Sequence, residues 1–376
     1  MKKLGFGMMR LPKRSADPED VDMEQLCQMV DVFLEKGCTY FDTSYMYHEG
    51  TSEDAVRKAL VERHPRDRFL LADKLPTFMI DEKAQLPVIF EEQLKKCGVS
   101  YFDYYLLHGI WESRYDGPIK DCDMFGFARK LKEDGRIRHL GFSYHDSPEA
   151  LNRILTEHPE VEFVQIALNY YDWDSEAIQS RKCYEVIRKH GKDVIVMQPV
   201  KGGMLAQVPE ESKIAMERVC PSMSPASWAI RFAAGLEGVM VVLSGMSSMG
   251  QMLENLSFMA DFQPLNEEPA LPVLKQTVDT IKQKKAISCV QCGQCDSICP
   301  KSIHISDILA TYNSIMRQAD PCFNAELNYY KRIQERRHGA NLCDDCGKCT
   351  AVCPQHLDVA TELRKTAKFQ YVHSFW

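Results

Sequence analysis

No run of about 18 apolar residues occurs in the sequence, so no membrane span is expected. Positive charge is also short: 46 Lys and Arg face 53 Asp and Glu, for a net charge of −7. That balance gives no footing for a nucleic-acid partner. The apolar stretch after Met1-Lys2-Lys3 is broken by Arg10 and Pro12, too soon for a secretory signal. Residues 4–9 are instead expected to form one strand of a small hairpin. A glycine-rich nucleotide turn after the first β-like run is missing too, which counts against an open dinucleotide-binding sheet. With no signal, the 15 cysteines do not read as a disulfide framework. Eight of them fall in two tight groups, which points to metal ligation in a reducing, cytoplasmic setting.

What is present is enough for two domains. The chain has 376 residues, 45% hydrophobic and 26% charged. Charge is uneven along it, with −11 over residues 1–280 and +4 over residues 281–376. This shift marks a boundary near 280. The expected division is a barrel over 1–270, a linker helix over 271–285 and a metal-binding domain over 286–376.

The first 280 residues alternate β-rich and helical runs. A helix is expected from Asp17 to about Lys36, then a strand at Cys38–Phe41 ending on Asp42. Further strands are expected at 68–75, 102–108, 137–143, 162–169, 193–200 and 238–244, with a last weak one near 258–263. Helical runs fall between them. Near-continuous apolar strands are covered on both faces. Eight strand–helix units in about 250 residues favour an α/β fold of the (β/α)8 TIM-barrel type, with its chemistry at the strands' C-terminal ends.

Those ends carry Asp42, then Tyr47 just beyond it, Lys74 and His108. Each has an ordinary explanation: a turn cap, a loop aromatic, a solvated charge, a satisfied histidine. Together, a carboxylate, a phenol, an ammonium and an imidazole at one mouth form a proton-transfer site. Asp42-x4-Tyr47, the lysine after Leu71-Ala72-Asp73, and His108 after Asp103-Tyr104-Tyr105-Leu106-Leu107 resemble the tetrad of the aldo/keto reductase superfamily. The resemblance covers about residues 1–270. It implies that Tyr47 protonates a carbonyl oxygen while hydride reaches the carbon. By the same likeness, Asp42 orients Lys74, and His108 donates a hydrogen bond to the substrate oxygen. A nearby ammonium favours the phenolate, so Lys74 is expected to lower the Tyr47 pKa from about 10.

The likeness also implies a nicotinamide site. Ser143 and Gln165 match carboxamide-binding positions, although Tyr144 stands where the family usually has Asn. Ser244-Gly245-Met246-Ser247-Ser248 precedes a helix and is either a phosphate cradle or an ordinary N-cap. Glu254 and Asn255 match adenine-end residues. Gln251 replaces the Arg common in NADPH-preferring members, and Met197 replaces the tyrosine that stacks on nicotinamide. NAD(P)H is the expected cofactor, with its choice open.

Cys289-x2-Cys292-x2-Cys295-x3-Cys299-Pro300 recurs as Cys343-x2-Cys346-x2-Cys349-x3-Cys353-Pro354, with 43 residues between Cys299 and Cys343. In such paired runs three cysteines hold one [4Fe–4S] cluster and the fourth holds the other. One cluster is therefore assigned to Cys289, Cys292, Cys295 and Cys353, the second to Cys343, Cys346, Cys349 and Cys299. A zinc site closes with four ligands and has no use for this duplication. The region resembles bacterial two-cluster ferredoxins of the α-helical variety, with helices expected near 306–318 and 324–338. Lys331, Arg332, Arg336 and Arg337 either offset the negative clusters or line a solvated face. Cysteines 27, 38, 97, 122, 183, 220 and 322 show no ligand spacing.

Three functions remain open at this stage. One is an oxidoreductase acting on a small carbonyl or alcohol, coupled through its clusters to a redox protein partner. Because nicotinamide carries two electrons and each cluster one, a flavin would be the natural converter. The second is a conventional NAD(P)H-dependent reductase with structural or redox-sensing clusters. The third is an electron-transfer module with a silent barrel.

Overall fold

The computed structural model describes residues 2–175, 178–260, 262–265, 268–283, 286–317, 329, 330, 333 and 338–372, the last five as backbone only. Eight parallel strands close into a barrel in sequence order. They are β1 (Leu4–Gly7), β2 (Tyr40–Asp42), β3 (Leu70–Leu75), β4 (Phe102–Ile110), β5 (Ile137–Tyr144), β6 (Phe163–Ala167), β7 (Asp193–Met197) and β8 (Val239–Ser244). The ring closes where β8 pairs with β1, Val242 opposite Leu4 and Ser244 opposite Phe6.

The first and last expectations for this region need correction. Residues 4–7 form a barrel strand between β2 and β8, not one arm of a hairpin. Two of its four residues are glycine. A Cβ on Gly5 would sit 2.6 Å from Val241 Cγ1 and 2.8 Å from Leu243 Cδ2, so glycine lets the neighbouring strand's side chains approach. Among the described residues no strand forms near 258; Met249–Ala260 is one helix. Its buried Met252, Asn255, Leu256 and Met259 keep helical spacing to its end. The first helix also starts later than expected, at Met23. Asp22 accepts a hydrogen bond from the Gln25 amide at 3.1 Å and caps it, while Lys13 and Val21 pair in an antiparallel bridge ahead of it.

Inside the barrel Tyr40, Ala72, Tyr104, Leu106, Phe163, Ile195, Val241 and Leu243 pack together, so it is a core and not a pore. Strand side chains alternate with a period of two. The inward set Tyr40, Ala72, Tyr104 and Leu106 therefore carries Asp42, Lys74 and His108 onto the same inner face, one step nearer the strand ends.

The chain divides into two compact units. Met1–Asp174, Gln179–Pro199 and Ser227–Glu268 form the first; Ser175–Ile178, Val200–Ala226 and Pro269–Trp376 form the second. In the second, helices Glu210–Val219 and Ala270–Gln283 pack together, as do Ile305–Ile315 and Val359–Val372. Ile303, Ile305, Ile308, Leu309, Val359 and Leu363 form its core with Cys295 and Cys349. Most of the expected 324–338 helix, including Lys331, Arg332, Arg336 and Arg337, lies outside the described residues, as does Cys322. No helix among the described residues is long and apolar enough to cross a membrane.

Candidate functional site

At the ends of β2, β3 and β4 the structure brings Asp42, Tyr47, Lys74 and His108 together. All four are buried, with Lys74 only 1% exposed. Lys74 Nζ donates to Asp42 Oδ1 at 2.5 Å and to the Thr43 carbonyl at 2.6 Å. It lies 4.8 Å from the centre of the Tyr47 ring. The Tyr47 and His108 rings meet edge to face at 6.0 Å. His108 Nδ1 lies 2.9 Å from Ser44 Oγ, and the His108 carbonyl accepts from Thr77 Oγ1 at 2.6 Å.

Burial dominates the electrostatics. It opposes a charge on Lys74, yet Asp42, Tyr47 and Asp73 together raise the Lys74 pKa, so the ammonium is retained. Burial pushes the Asp42 carboxyl up, and Lys74 pulls it back. His108 is held neutral, its pKa driven well below the usual value by burial, Lys74 and His145. For Tyr47 the expected direction is reversed. Lys74 does lower its pKa, but burial outweighs that effect and Asp42 adds to burial, so the phenol is raised. The site holds the proton a general acid must begin with.

Several supporting groups were not evident in the sequence. Ser44 steers His108 from two residues beyond Asp42, on a stretch already marked as chemical. On the outer face of β3, Gln93 Nε2 donates to the Lys74 carbonyl at 2.9 Å, and Tyr105 donates to Gln93 Oε1 at 2.6 Å. Asp73 Oδ1 accepts the Lys74 amide at 2.8 Å. Asp73 is the neighbour of Lys74 in sequence, whereas only the fold brings Gln93 and Tyr105 behind it.

The expected nicotinamide positions divide into two classes. Ser143 and Gln165 are opposite each other in the β5–β6 register and are buried. Ser143 Oγ accepts from the Gly109 amide at 2.7 Å, while Gln165 Oε1 has no hydrogen-bond partner. A buried orphan amide oxygen is a group that a carboxamide N–H would satisfy. Met197 ends β7 half-buried, and Tyr144 is committed to the Ser147 carbonyl at 2.7 Å.

At the loop expected as a phosphate cradle, the amides of Ser247, Met249 and Gln251 are bonded within the protein itself. Gln251 Oε1 accepts the Ser247 amide at 2.7 Å, and the Gln251 amide donates to Ser248 Oγ at 3.4 Å. Gln25 Oε1 accepts the Met249 amide at 3.1 Å. This is a capped helix start. Met246 is fully buried, Gly245 packs against Arg10, and Ser244 Oγ accepts from Asn255 at 2.9 Å. Asn255 thus braces β8, and Glu254 is exposed beside it.

In the second unit, one cavity is lined by Cys289, Cys292, Cys295 and Cys353. Another is lined by Cys299, Cys343, Cys346 and Cys349. The last cysteine of each run has crossed to the other's cavity. The turns match: Gln291 and Asp345 both have positive φ, and their amides donate to Cys289 Sγ and Cys343 Sγ, each at 3.4 Å. Four sulfurs around a small cavity with amides aimed at them suit an iron–sulfur cluster. Burial pushes the Cys295 thiol up to about 12, so a metal would have to displace its proton.

Comparison with known proteins gives two family matches, the aldo/keto reductase family over residues 3–270 and a 4Fe-4S dicluster domain over 288–357. A Glycine max protein named as an aldo-keto reductase is 28% identical over 211 residues, spanning 54% of this chain and 57% of that protein. An uncharacterised oxidoreductase of Bacillus subtilis is 23% identical over 299 residues, 71% of this chain and 90% of its own. Among solved structures, a Klebsiella pneumoniae aldo-keto reductase in complex with NADPH aligns with a TM-score of 0.59 at 20% identity, covering 73% of this chain and 91% of that one. The holo form of a Bacillus halodurans aldo-keto reductase gives 0.58 at 24% identity, with the same coverage. At these identities the structural likeness shows the barrel fold.

Proposed function

Because the chain belongs to the aldo/keto reductase family, we propose that it is an oxidoreductase that reduces a small carbonyl, or oxidises the alcohol in reverse, in concert with two iron–sulfur clusters. The observation that carries the reading is the contact of Lys74 with Asp42 at 2.5 Å, with the ammonium 4.8 Å from the Tyr47 ring and His108 beside it. We assign the barrel to residues 1–270, a connecting helix to 271–285, and the cluster domain to 286–376.

Each residue has a role that its surroundings support. Tyr47, kept protonated by burial, gives its proton to the carbonyl oxygen. Lys74 stabilises the phenolate left behind, and Asp42 holds Lys74 charged and aimed. Neutral His108, when Ser44 donates to its Nδ1, presents an Nε2–H to the same oxygen. Gln93 and Asp73 fix the main chain of Lys74 from behind. A nicotinamide, when bound, would supply hydride to the carbon; the clusters would carry electrons singly, two of them with a proton restoring the oxidised nicotinamide through a flavin in this chain or its partner. Ser143 and Gln165 would hold the carboxamide. The eight cysteines would hold the clusters in the two interleaved sets. A redox protein is the partner we assign to the cluster domain.

A second reading, a conventional NAD(P)H-dependent reductase with structural clusters, is favoured by the orphan Gln165 oxygen beside Ser143. Replacing Cys292, an exposed ligand candidate, separates the two. Under the coupled reading, anaerobically prepared and folded Cys292→Ala protein loses turnover driven by a one-electron donor. Parent and variant that both turn over normally with NAD(P)H, and neither with the one-electron donor, would remove the coupled reading and leave the conventional one.

A further inference from the structure

The two cysteine sites share one architecture and differ in charge. Gly293 and Gly347 adopt the same left-handed turn, with φ of 72° and 71°. One residue after the third cysteine of each run, a side chain caps the following helix. Asp296 Oδ1 accepts the Ser306 amide at 2.9 Å, and Thr350 Oγ1 accepts the Ala360 amide at 3.3 Å. Each spans ten residues, so Asp296 and Thr350 are equivalent positions. One is a carboxylate and the other is neutral.

Asp296 Oδ1 lies 3.7 Å from Cys295 Sγ, and Ser306 Oγ also donates to its carboxylate. Around the Cys289 site the remaining non-cysteine residues of the first run's turns are Val290, Gln291, Gly293 and Gln294, and Gln355 enters from the second run. None is charged. The Cys343 site differs at the matching places. Lys301 and Lys348 line it with Asp344. Lys301 pairs with Asp344 at 3.8 Å, and Arg364 pairs with Asp345, so Lys348 adds a net positive charge.

Added electrons are favoured by nearby positive charge and opposed by negative charge, and cluster potentials follow net charge and hydrogen bonding. The matched amide-to-sulfur bonds cancel between the sites; the charges do not. We propose that Lys348, with Lys301 offsetting Asp344, makes the site of Cys299, Cys343, Cys346 and Cys349 the more easily reduced of the two, and that Asp296 makes the site of Cys289, Cys292, Cys295 and Cys353 the less easily reduced. A single electron shared between them then resides mainly at the Cys343 site. This rests on the two interleaved ligand sets proposed above.

The test is a reductive titration of the full chain, anaerobically reconstituted, with dithionite and mediators, followed by electron paramagnetic resonance. Iron and sulfide are counted first. Two separate one-electron transitions are expected. Lys348→Gln, at an exposed position, should lower only the higher-potential transition, by about tenfold in its equilibrium or ~59 mV. Asp296→Thr, which copies its neutral counterpart and keeps a cap, should raise only the lower one. Lys301→Gln gives a second exposed variant expected to act like Lys348→Gln. The ordering is overturned if Lys348→Gln moves the lower transition, if Asp296→Thr moves the higher one, or if neither moves. Iron for fewer than two clusters in the unaltered chain overturns the ligand sets, and the ordering with them.

Discussion

At Tyr47 two influences oppose each other. Burial and Asp42 raise its pKa, while Lys74 lowers it, and the rise wins. The phenol is therefore protonated through neutral and mildly alkaline pH. Carbonyl reduction should hold its rate until pH passes the ordinary tyrosine value of about 10. Alcohol oxidation needs the phenolate and should rise with pH over the same range; parallel pH profiles in both directions check this. His108 is already neutral below its usual range, so no rate step near pH 6.5 is expected from it. Asp42→Asn leaves the buried Lys74 ammonium without its carboxylate. Its expected cost is about 3–5 kcal/mol in denaturant unfolding. The tetrad was legible because Asp42, Lys74 and His108 fall at the ends of apolar runs, where strand alternation puts them on one face. The direction of the Tyr47 shift was not, since burial depends on what the fold packs around the ring. Ser44 and Gln93 were missed for the same reason: their partners are 64 and 19 residues away.

Among the elements, β1 was legible as a strand but not as a member of the barrel. Leu4-Gly5-Phe6-Gly7 has the glycine content of a turn, yet its neighbours leave no room for a Cβ at Gly5. Gly141 on β5 is similar: a Cβ there would lie 2.5 Å from the Phe163 ring and 2.6 Å from its carbonyl oxygen. Gly141→Ala should destabilise the barrel by about 1–3 kcal/mol, measured by thermal or denaturant unfolding. The helix after β8 was legible as a helix, but not the closure of its start by Gln251 and Gln25. Gln251→Ala frees the Ser247 amide at a cost of about 1 kcal/mol in stability. Calorimetric titration should then show tighter pyridine-dinucleotide binding than in the parent. Unchanged affinity would mean that those amides are not used by the cofactor.

On the scale of the whole molecule, two compact units each carry a chemical site, and the two sites were legible to different degrees. The duplicated cysteine runs could be paired from the sequence, because the spacing sets the fourth cysteine apart from its three neighbours and paired runs of this kind exchange that fourth ligand. Their interleaving makes a specific demand. Cys299→Ala, although in the first run, should remove the cluster held by Cys343, Cys346 and Cys349, with spectroscopic loss of that transition alone. The barrel offers less from sequence, since the positions expected to meet a cofactor depart from the family pattern at Tyr144, Met197 and Gln251. The central claim is that Tyr47 is the proton donor of an active barrel in a protein that also carries clusters. Its most direct measurement is carbonyl turnover by the Tyr47→Phe chain, purified anaerobically with iron content and circular dichroism matched to the parent. The expected result is a loss of about 10²–10⁴-fold with both clusters retained. Undiminished turnover in that folded, fully loaded protein would contradict it.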